Sequence, residues 1–157
     1  MSRLAFITGA SSGIGQALAW RFYQAGYSLA LVARRTGEIE AWMLSRQIDP
    51  RRCHIYSADV SIVANIVAAG QASIAQQGVA DVVIACAGIS IGVDTAERVD
   101  LDVMARTFAT NNVGTAASFH PFLAAMRQRR SGILVGIGSV NGIRGFAGHG
   151  ANCPSKA

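Results

Sequence analysis

Five short runs of the chain, residues 4–8, 28–33, 53–58, 82–86 and 133–137, are apolar through most of their length. A strand with one wet face alternates apolar and polar residues, so an apolar run without alternation implies cover on both faces. Between the runs, apolar residues recur at helical spacing. Ile14, Leu18 and Phe22 repeat every four residues until Gly26, and Ile39, Trp42 and Met43 mark a second face that Pro50 is expected to end. Ile62, Ile66, Val67, Gly70 and Ile74 form a third stripe that stops near Gly78. A long fourth helix is expected to carry Met104, Phe108, Thr115, Phe119, Leu123 and Met126 on its inner side, bent at Pro121. Strand and helix in alternation predict an α/β domain with a doubly wound parallel sheet over residues 1–157.

Composition supports a folded core. Of 157 residues, 51% are hydrophobic and 15% charged, which excludes a disordered chain. Residues 60–80 and 107–126 carry no charge, but Asn65, Gln71, Gln76 and Gln77 interrupt the first and Asn111, Asn112 and His120 the second, and no membrane span is expected. The opening MSRLAFITGASSG has no long apolar region of the secretory kind, so a cytoplasmic location is expected. Cys53, Cys86 and Cys153 are odd in number and widely spaced, which suits reduced thiols rather than disulfides or a metal site. The net charge of +5 comes from scattered arginines without an aromatic-interleaved stripe, and nucleic acid is not an expected partner. Arg127, Arg129 and Arg130 read as positive charge at a helix carboxyl end.

Glycines at Gly9, Gly13 and Gly15 stand between the first strand and the first helix. Glycine there lets the backbone turn sharply, admits a diphosphate without a Cβ in the way, and seats the helix on the strand. The helix-start amides then hold the anion, which makes Gly9, Ser11, Ser12, Gly13, Ile14 and Gly15 candidate dinucleotide contacts. A tight turn without a ligand is the plainer alternative.

The spacing Gly-x3-Gly-x-Gly after Thr8 resembles the short-chain dehydrogenase/reductase family, and further segments agree in order along essentially the whole chain. Ala58-Asp59-Val60 is similar to the family segment whose Asp contacts adenine, which makes Asp59 and Val60 candidate contacts. Ala85-Cys86-Ala87-Gly88 stands where the family has Asn-Asn-Ala-Gly and keeps only Ala87 and Gly88. Thr110-Asn111-Asn112-Val113-Gly114 resembles the segment with the active-site Asn, here Asn111, and Gly138-Ser139-Val140 resembles the active-site Ser segment. The resemblance implies a Rossmann fold, a nicotinamide cofactor, and reversible reduction of a small carbonyl compound or oxidation of an alcohol. It also implies that Ser139 polarises the substrate oxygen, Asn111 orders a water, and Lys156 binds the nicotinamide ribose.

A departure of greater chemical consequence falls near residue 152. The family's Tyr-x3-Lys falls on residues 152–156, where Lys156 is kept but Asn152 replaces the tyrosine. A phenol beside an ammonium can donate a proton near neutrality, whereas an amide cannot. Losing a general acid costs roughly 100-fold to 10,000-fold in rate. His149 and Cys153 are ionisable and near in sequence, but neither keeps the helical spacing to Lys156. The enzyme reading is therefore impaired, and a non-catalytic dinucleotide-binding protein or a pseudogene product is the alternative.

At the end of the second strand, where NAD-binding chains usually carry an acid, this chain has Arg34 and Arg35. Guanidiniums suit a 2′-phosphate, so NADP is the expected cofactor over NAD, unless the two arginines are merely solvated. Five strands are present where the doubly wound sheet has about six, and the resemblance implies further strands, helices and a substrate loop after residue 157. Without them the fifth strand is expected to be an open apolar edge, and the homo-oligomer expected of a complete chain is doubtful here.

Overall fold

The computed structural model describes residues 3–157. Met1 and Ser2, where the leader expectation and the domain range begin, lie outside the described residues. The elements run β1 (Leu4–Thr8), α1 (Gly13–Gln24), β2 (Ser28–Ala33), α2 (Thr36–Ser45), β3 (Cys53–Ser57), α3 (Val63–Gln77), β4 (Val82–Ala85), α4 (Arg98–Phe108), α5 (Gly114–Arg129), β5 (Ile133–Gly136) and α6 (Asn152–Lys156). All strand pairs are parallel, in the order β3-β2-β1-β4-β5. The doubly wound sheet expected from the apolar runs is therefore present, with strand ends differing from the expected ones by a residue.

Alternation within β1 assigns the two faces. Ala5 and Ile7 pack with Leu29, Leu31, Ile39 and Trp42 on the α1–α2 side, while Leu4 and Phe6 pack with Ala30, Val32, Ile66 and Phe122 on the α3–α5 side. Phe6 and Phe122 are fully buried, with ring centroids 4.9 Å apart. Because order reverses at β1, the carboxyl ends of β1 and β4 open a crevice between the first helix and the α4–α5 wall.

Several expectations need correction, among them the core stripe positions Ile14 and Ile62, both of which are exposed. Helix α2 ends at Ser45, with Gln47 in the left-handed region at φ 52°, and Pro50 instead opens a short 3₁₀ turn capped by Asp49. The inner side of the long helix is also different. Helices α4 and α5 are joined through a π turn at Ala109–Val113, and the buried residues are Thr107, Asn111, Gly114, Ala117, Ser118, Phe122 and Met126. Of the expected stripe Met126 is buried and Phe119 packs partly buried against the same core, whereas Leu123 is exposed. Close approach explains the exchange: a Cβ on Gly114 would lie 2.8 Å from the Val60 carbonyl, and one on Gly70 would lie 2.6 Å from the Pro121 ring. Small and hydrogen-bonded residues face the sheet over Thr107–Ser118, and the large apolar Phe122 and Met126 take over in the second half of α5.

At the far edge, β5 leaves Ile133 and Leu134 exposed at 58% and 40%. Among the described residues no helix is long and apolar enough to cross a membrane.

Candidate functional site

Thr8 ends β1 with its side chain buried, and its Oγ1 accepts the amides of Cys86 at 3.1 Å and Ala87 at 3.2 Å. This bond holds the β1 turn against the end of β4. Gly9 makes the closeness possible, because its φ is +69° and a Cβ would meet Ala87 N and Cα at 2.8 Å. Gly15 packs against Gly9 in the same way, its missing Cβ facing the Gly9 carbonyl. Gly13 differs: its φ is +55° and nothing stands within 4 Å of where a Cβ would be. Helix α1 thus begins with open space before it, no side-chain cap from Ser12 and no acid in its first turn. Such an end offers unpaired amides and a positive dipole to an anion.

A cleft of about 740 Å³ lies over this turn. Gly9, Ser11, Ser12, Gly13, Ile14, Gly15, Arg34, Arg35, Asp59, Val60, Ala87 and Gly88 all line it, so every cofactor candidate from the sequence except Lys156 meets in one place. Ile14 turns outward, 60% exposed, instead of joining the α1 core stripe. Arg106, Ala109 and Thr110 from the α4 side complete the wall, with Ile89 and Ile91 from the loop after β4. Arg106 and the two isoleucines escaped sequence reading because no motif marks them; only their positions beside the Cys86–Gly88 and Thr110–Val113 segments hint at them.

The charges in the cleft are partly matched. Arg34 Nη1 lies 3.6 Å from Asp59 Oδ2, and Arg35 Nη1 lies 3.1 Å from Glu38 Oε1. Asp59 Oδ1 also accepts the Ser61 hydroxyl at 2.6 Å and the Ser61 amide at 2.9 Å. The hydroxyl bond above all, with the Ser61 amide and the Arg34 charge, holds the Asp59 carboxyl below its usual range. All these side chains remain open to water, so a phosphate can reach them.

The four candidate catalytic residues lie deeper or further along. Asn111 is buried, and its Nδ2 donates to the Ile89 carbonyl and to Ser155 Oγ, both at 2.9 Å. Lys156 Nζ donates to the Ile137 carbonyl at 3.0 Å. The two side chains converge over Gly88, where a Cβ would stand 3.2 Å from Asn111 Oδ1 and 3.6 Å from Lys156 Nζ. Ser139 is exposed and caps a 3₁₀ turn, its Oγ accepting the Asn141 amide at 3.2 Å. That turn touches α6, since a Cβ on Gly142 would overlap the Lys156 carbonyl. Asn152 is buried in the first turn of α6, and its Oδ1 has no hydrogen-bond partner among the described residues. His149 Nδ1 lies 3.4 Å from Asn141 Nδ2. Cys86, in the cleft, has its thiol pushed up by burial, an effect the nearby Lys156 charge opposes. No cluster of metal-ligating side chains occurs among the described residues.

Comparison with known proteins agrees with this geometry. The sequence model of a family described as short chain dehydrogenase matches residues 3–157. An uncharacterized oxidoreductase of Myxococcus xanthus is 33% identical over 160 residues, covering 99% of this chain and 61% of that protein. An alcohol dehydrogenase from the archaeon Thermococcus sibiricus, solved with 5-hydroxy-NADP, superposes with a TM-score of 0.88 at 25% identity over 99% of this chain and 66% of that one. A short chain dehydrogenase/reductase from Burkholderia phymatum, solved with NAD, also gives 0.88 at 25% identity, over 99% of this chain and 55% of that one. The chain therefore spans less than two thirds of the Myxococcus relative it matches.

Proposed function

The chain belongs to the short chain dehydrogenase family, and on that premise we propose that it binds NADP(H) as part of an oxidoreductase interconverting a small carbonyl compound and its alcohol. The carrying observation is the cleft itself: an uncapped helix start, a glycine with open space before it, and two arginines at the end of β2 on one wall. These features fit a dinucleotide with a 2′-phosphate. When bound, the nicotinamide supplies or accepts the hydride.

In this reading the amides at Gly13–Gly15 hold the diphosphate, Asp59 and Val60 flank the adenine, and Ala87 and Gly88 form the floor beneath the nicotinamide side. Arg34 and Arg35 hold the 2′-phosphate, in exchange for part of their present pairing with Asp59 and Glu38. Ser139 accepts one hydrogen bond from Asn141, which leaves its own proton for the substrate oxygen. Lys156 spends one of its three donors on Ile137 and keeps two for ribose hydroxyls. Asn111 has both of its side-chain N–H donors engaged, so a water it holds donates to an Asn111 oxygen, Oδ1 or the backbone carbonyl.

Proton transfer is the weak step. Asn152 carries an amide that surrenders no proton near neutrality, so turnover is reduced by about 100-fold to 10,000-fold relative to a tyrosine at that position. The amide of Asn152 at this position favours a second reading in which the chain binds the dinucleotide without catalysis.

A fluorescence titration tests the cofactor reading. NADPH is expected to bind at least about tenfold more tightly than NADH, and an Arg34→Ala/Arg35→Ala variant is expected to narrow the gap. Equal affinities in the wild-type protein refute the NADP preference.

A further inference from the structure

Arginines that stand apart in the sequence are interleaved with aromatic rings in space. The Arg3 guanidinium lies over the Tyr27 ring at 4.4 Å, that of Arg52 over Tyr23 at 4.2 Å, and that of Arg46 over Trp20 at 5.1 Å. The three pairs are joined into one row. Trp20 and Tyr23 stack with centroids 5.9 Å apart and planes 16° from parallel, and Arg52 Nη2 donates to the Tyr23 and Tyr27 carbonyls at 3.0 and 2.8 Å. Sequence spacing hides this row, because its members come from the residue before β1, from α1 and the turn after it, from the end of α2 and from the turn before β3.

Arg3 precedes β1, Tyr27 precedes β2 and Arg52 precedes β3, so the row lies at the amino ends of the strands. All strands are parallel, and the nucleotide cleft stands over their carboxyl ends, at Gly9, Arg34 and Asp59. The row is therefore a second surface, at the opposite end of the sheet from the cleft.

Its charge is open to a partner. Arg3 and Arg46 are exposed, Arg52 is half-buried, and none of the three forms an ion pair among the described residues. Asp49, whose amide donates to Tyr23 Oη at 3.0 Å, is paired with Arg51 at 2.9 Å, and Asp81, which accepts the Leu4 amide, faces Arg129. A guanidinium lying on a ring is held in its plane before a partner arrives, so less rotamer freedom is lost on binding. It keeps its N–H edge for a phosphate and its outer face for a base. A lipid surface needs apolar groups that protrude, whereas Tyr27 is buried and Trp20 and Tyr23 are half-buried. An acidic peptide would use the N–H edges alone.

We propose that the row of Arg3, Arg46 and Arg52 on their rings binds single-stranded nucleic acid, with phosphates on the guanidinium edges and bases stacked on the guanidinium planes. The surface is separate from the cleft, so this inference and the cofactor reading stand or fall independently.

The test is fluorescence anisotropy titration of labelled oligouridine and oligothymidine with three full-chain proteins. These are wild type, Arg3→Gln/Arg46→Gln, and Arg127→Gln/Arg130→Gln, which removes the same charge at the carboxyl end of α5. All four arginines are exposed, so both variants are expected to fold and to bind NADPH as wild type does. Wild type is expected to bind saturably, with a log–log salt slope of about −2, as three phosphate contacts give. Arg3→Gln/Arg46→Gln is expected to weaken binding at least about tenfold, and Arg127→Gln/Arg130→Gln to leave it within about twofold. Saturating NADPH is expected to leave oligonucleotide binding unchanged, and the tighter of the two oligonucleotides tells whether RNA or DNA is the source. No binding, equal weakening in both variants, displacement by NADPH, or binding to phosphatidylserine vesicles alone would overturn the assignment.

Discussion

Asn111 brackets the peptide of Ile89: its Oδ1 accepts the Ile89 amide and its Nδ2 donates to the Ile89 carbonyl, both at 2.9 Å. A third bond, from Nδ2 to Ser155 Oγ, ties the same side chain to α6. One buried amide therefore joins the loop after β4, the π turn and the helix that carries Lys156. Its position in the fold is explained by this joinery whether or not a reaction follows.

Asn111→Asp removes both donors while keeping the shape. The Ile89 carbonyl and Ser155 lose their partner, and a carboxylate is left in a buried place, so the variant is expected to lose about 2–4 kcal/mol of stability. Urea denaturation at pH 7 measures it. A loss below about 0.5 kcal/mol would mean that the bracket contributes little.

Gly13 and Gly9 are expected to separate binding from folding. Gly13→Ala puts a methyl group into open cleft at a positive φ, costing about 1 kcal/mol of stability. It is expected to weaken NADPH binding at least tenfold, because the methyl stands where the diphosphate approaches. Gly9→Ala drives a Cβ into the Ala87 backbone and is expected to cost more stability, about 2–3 kcal/mol. Parallel denaturation and nucleotide titration of the two variants check the split.

Cys53 is 4% exposed at the start of β3, and burial pushes its thiol from 9.0 to about 12. The unfolded chain releases this proton near pH 9 and the folded chain keeps it, so the unfolded state binds fewer protons as pH rises. The stabilisation is fully present below pH 9 and is lost through the window from 9 to about 12, at up to about 1.4 kcal/mol per pH unit. Cys53→Ala is expected to remove this part of the alkaline decline. Urea midpoints at pH 8 and pH 10 for both proteins decide it, and identical declines would contradict the assignment.

Asn152→Tyr is expected to raise NADPH oxidation with a panel of small aldehydes and ketones by at least about 100-fold over wild type. Because Asn152 is 5% exposed, the larger ring must displace neighbours, and some stability is expected to be lost. A wild-type rate equal to that of the variant would show that another group supplies the proton.

The parallel sheet was legible in the sequence because strands covered on both faces leave continuous apolar runs, and all five appear where those runs stand. The glycine turn was legible for a different reason: Gly9 and Gly15 sit where backbones nearly touch, so the residue type carries the geometry. The α4–α5 stripe was not legible. Periodicity weights large apolar side chains, but this helix buries Thr107, Asn111, Gly114 and Ser118, and its π turn shifts the register between the two halves. Arg106 escaped because no motif marks it, although it lines the cleft. The pairing of Arg34 with Asp59 joins the ends of two neighbouring strands 25 residues apart, which only their parallel alignment brings together.

The most direct test of the nucleotide site is amide hydrogen exchange of the full chain with and without NADPH. Slowed exchange at residues 11–15 and 87–89, with little change around Cys53 or α3, is the expected result. Unchanged exchange at residues 11–15 under saturating NADPH, or protection confined to another surface, would contradict the assignment of the cleft.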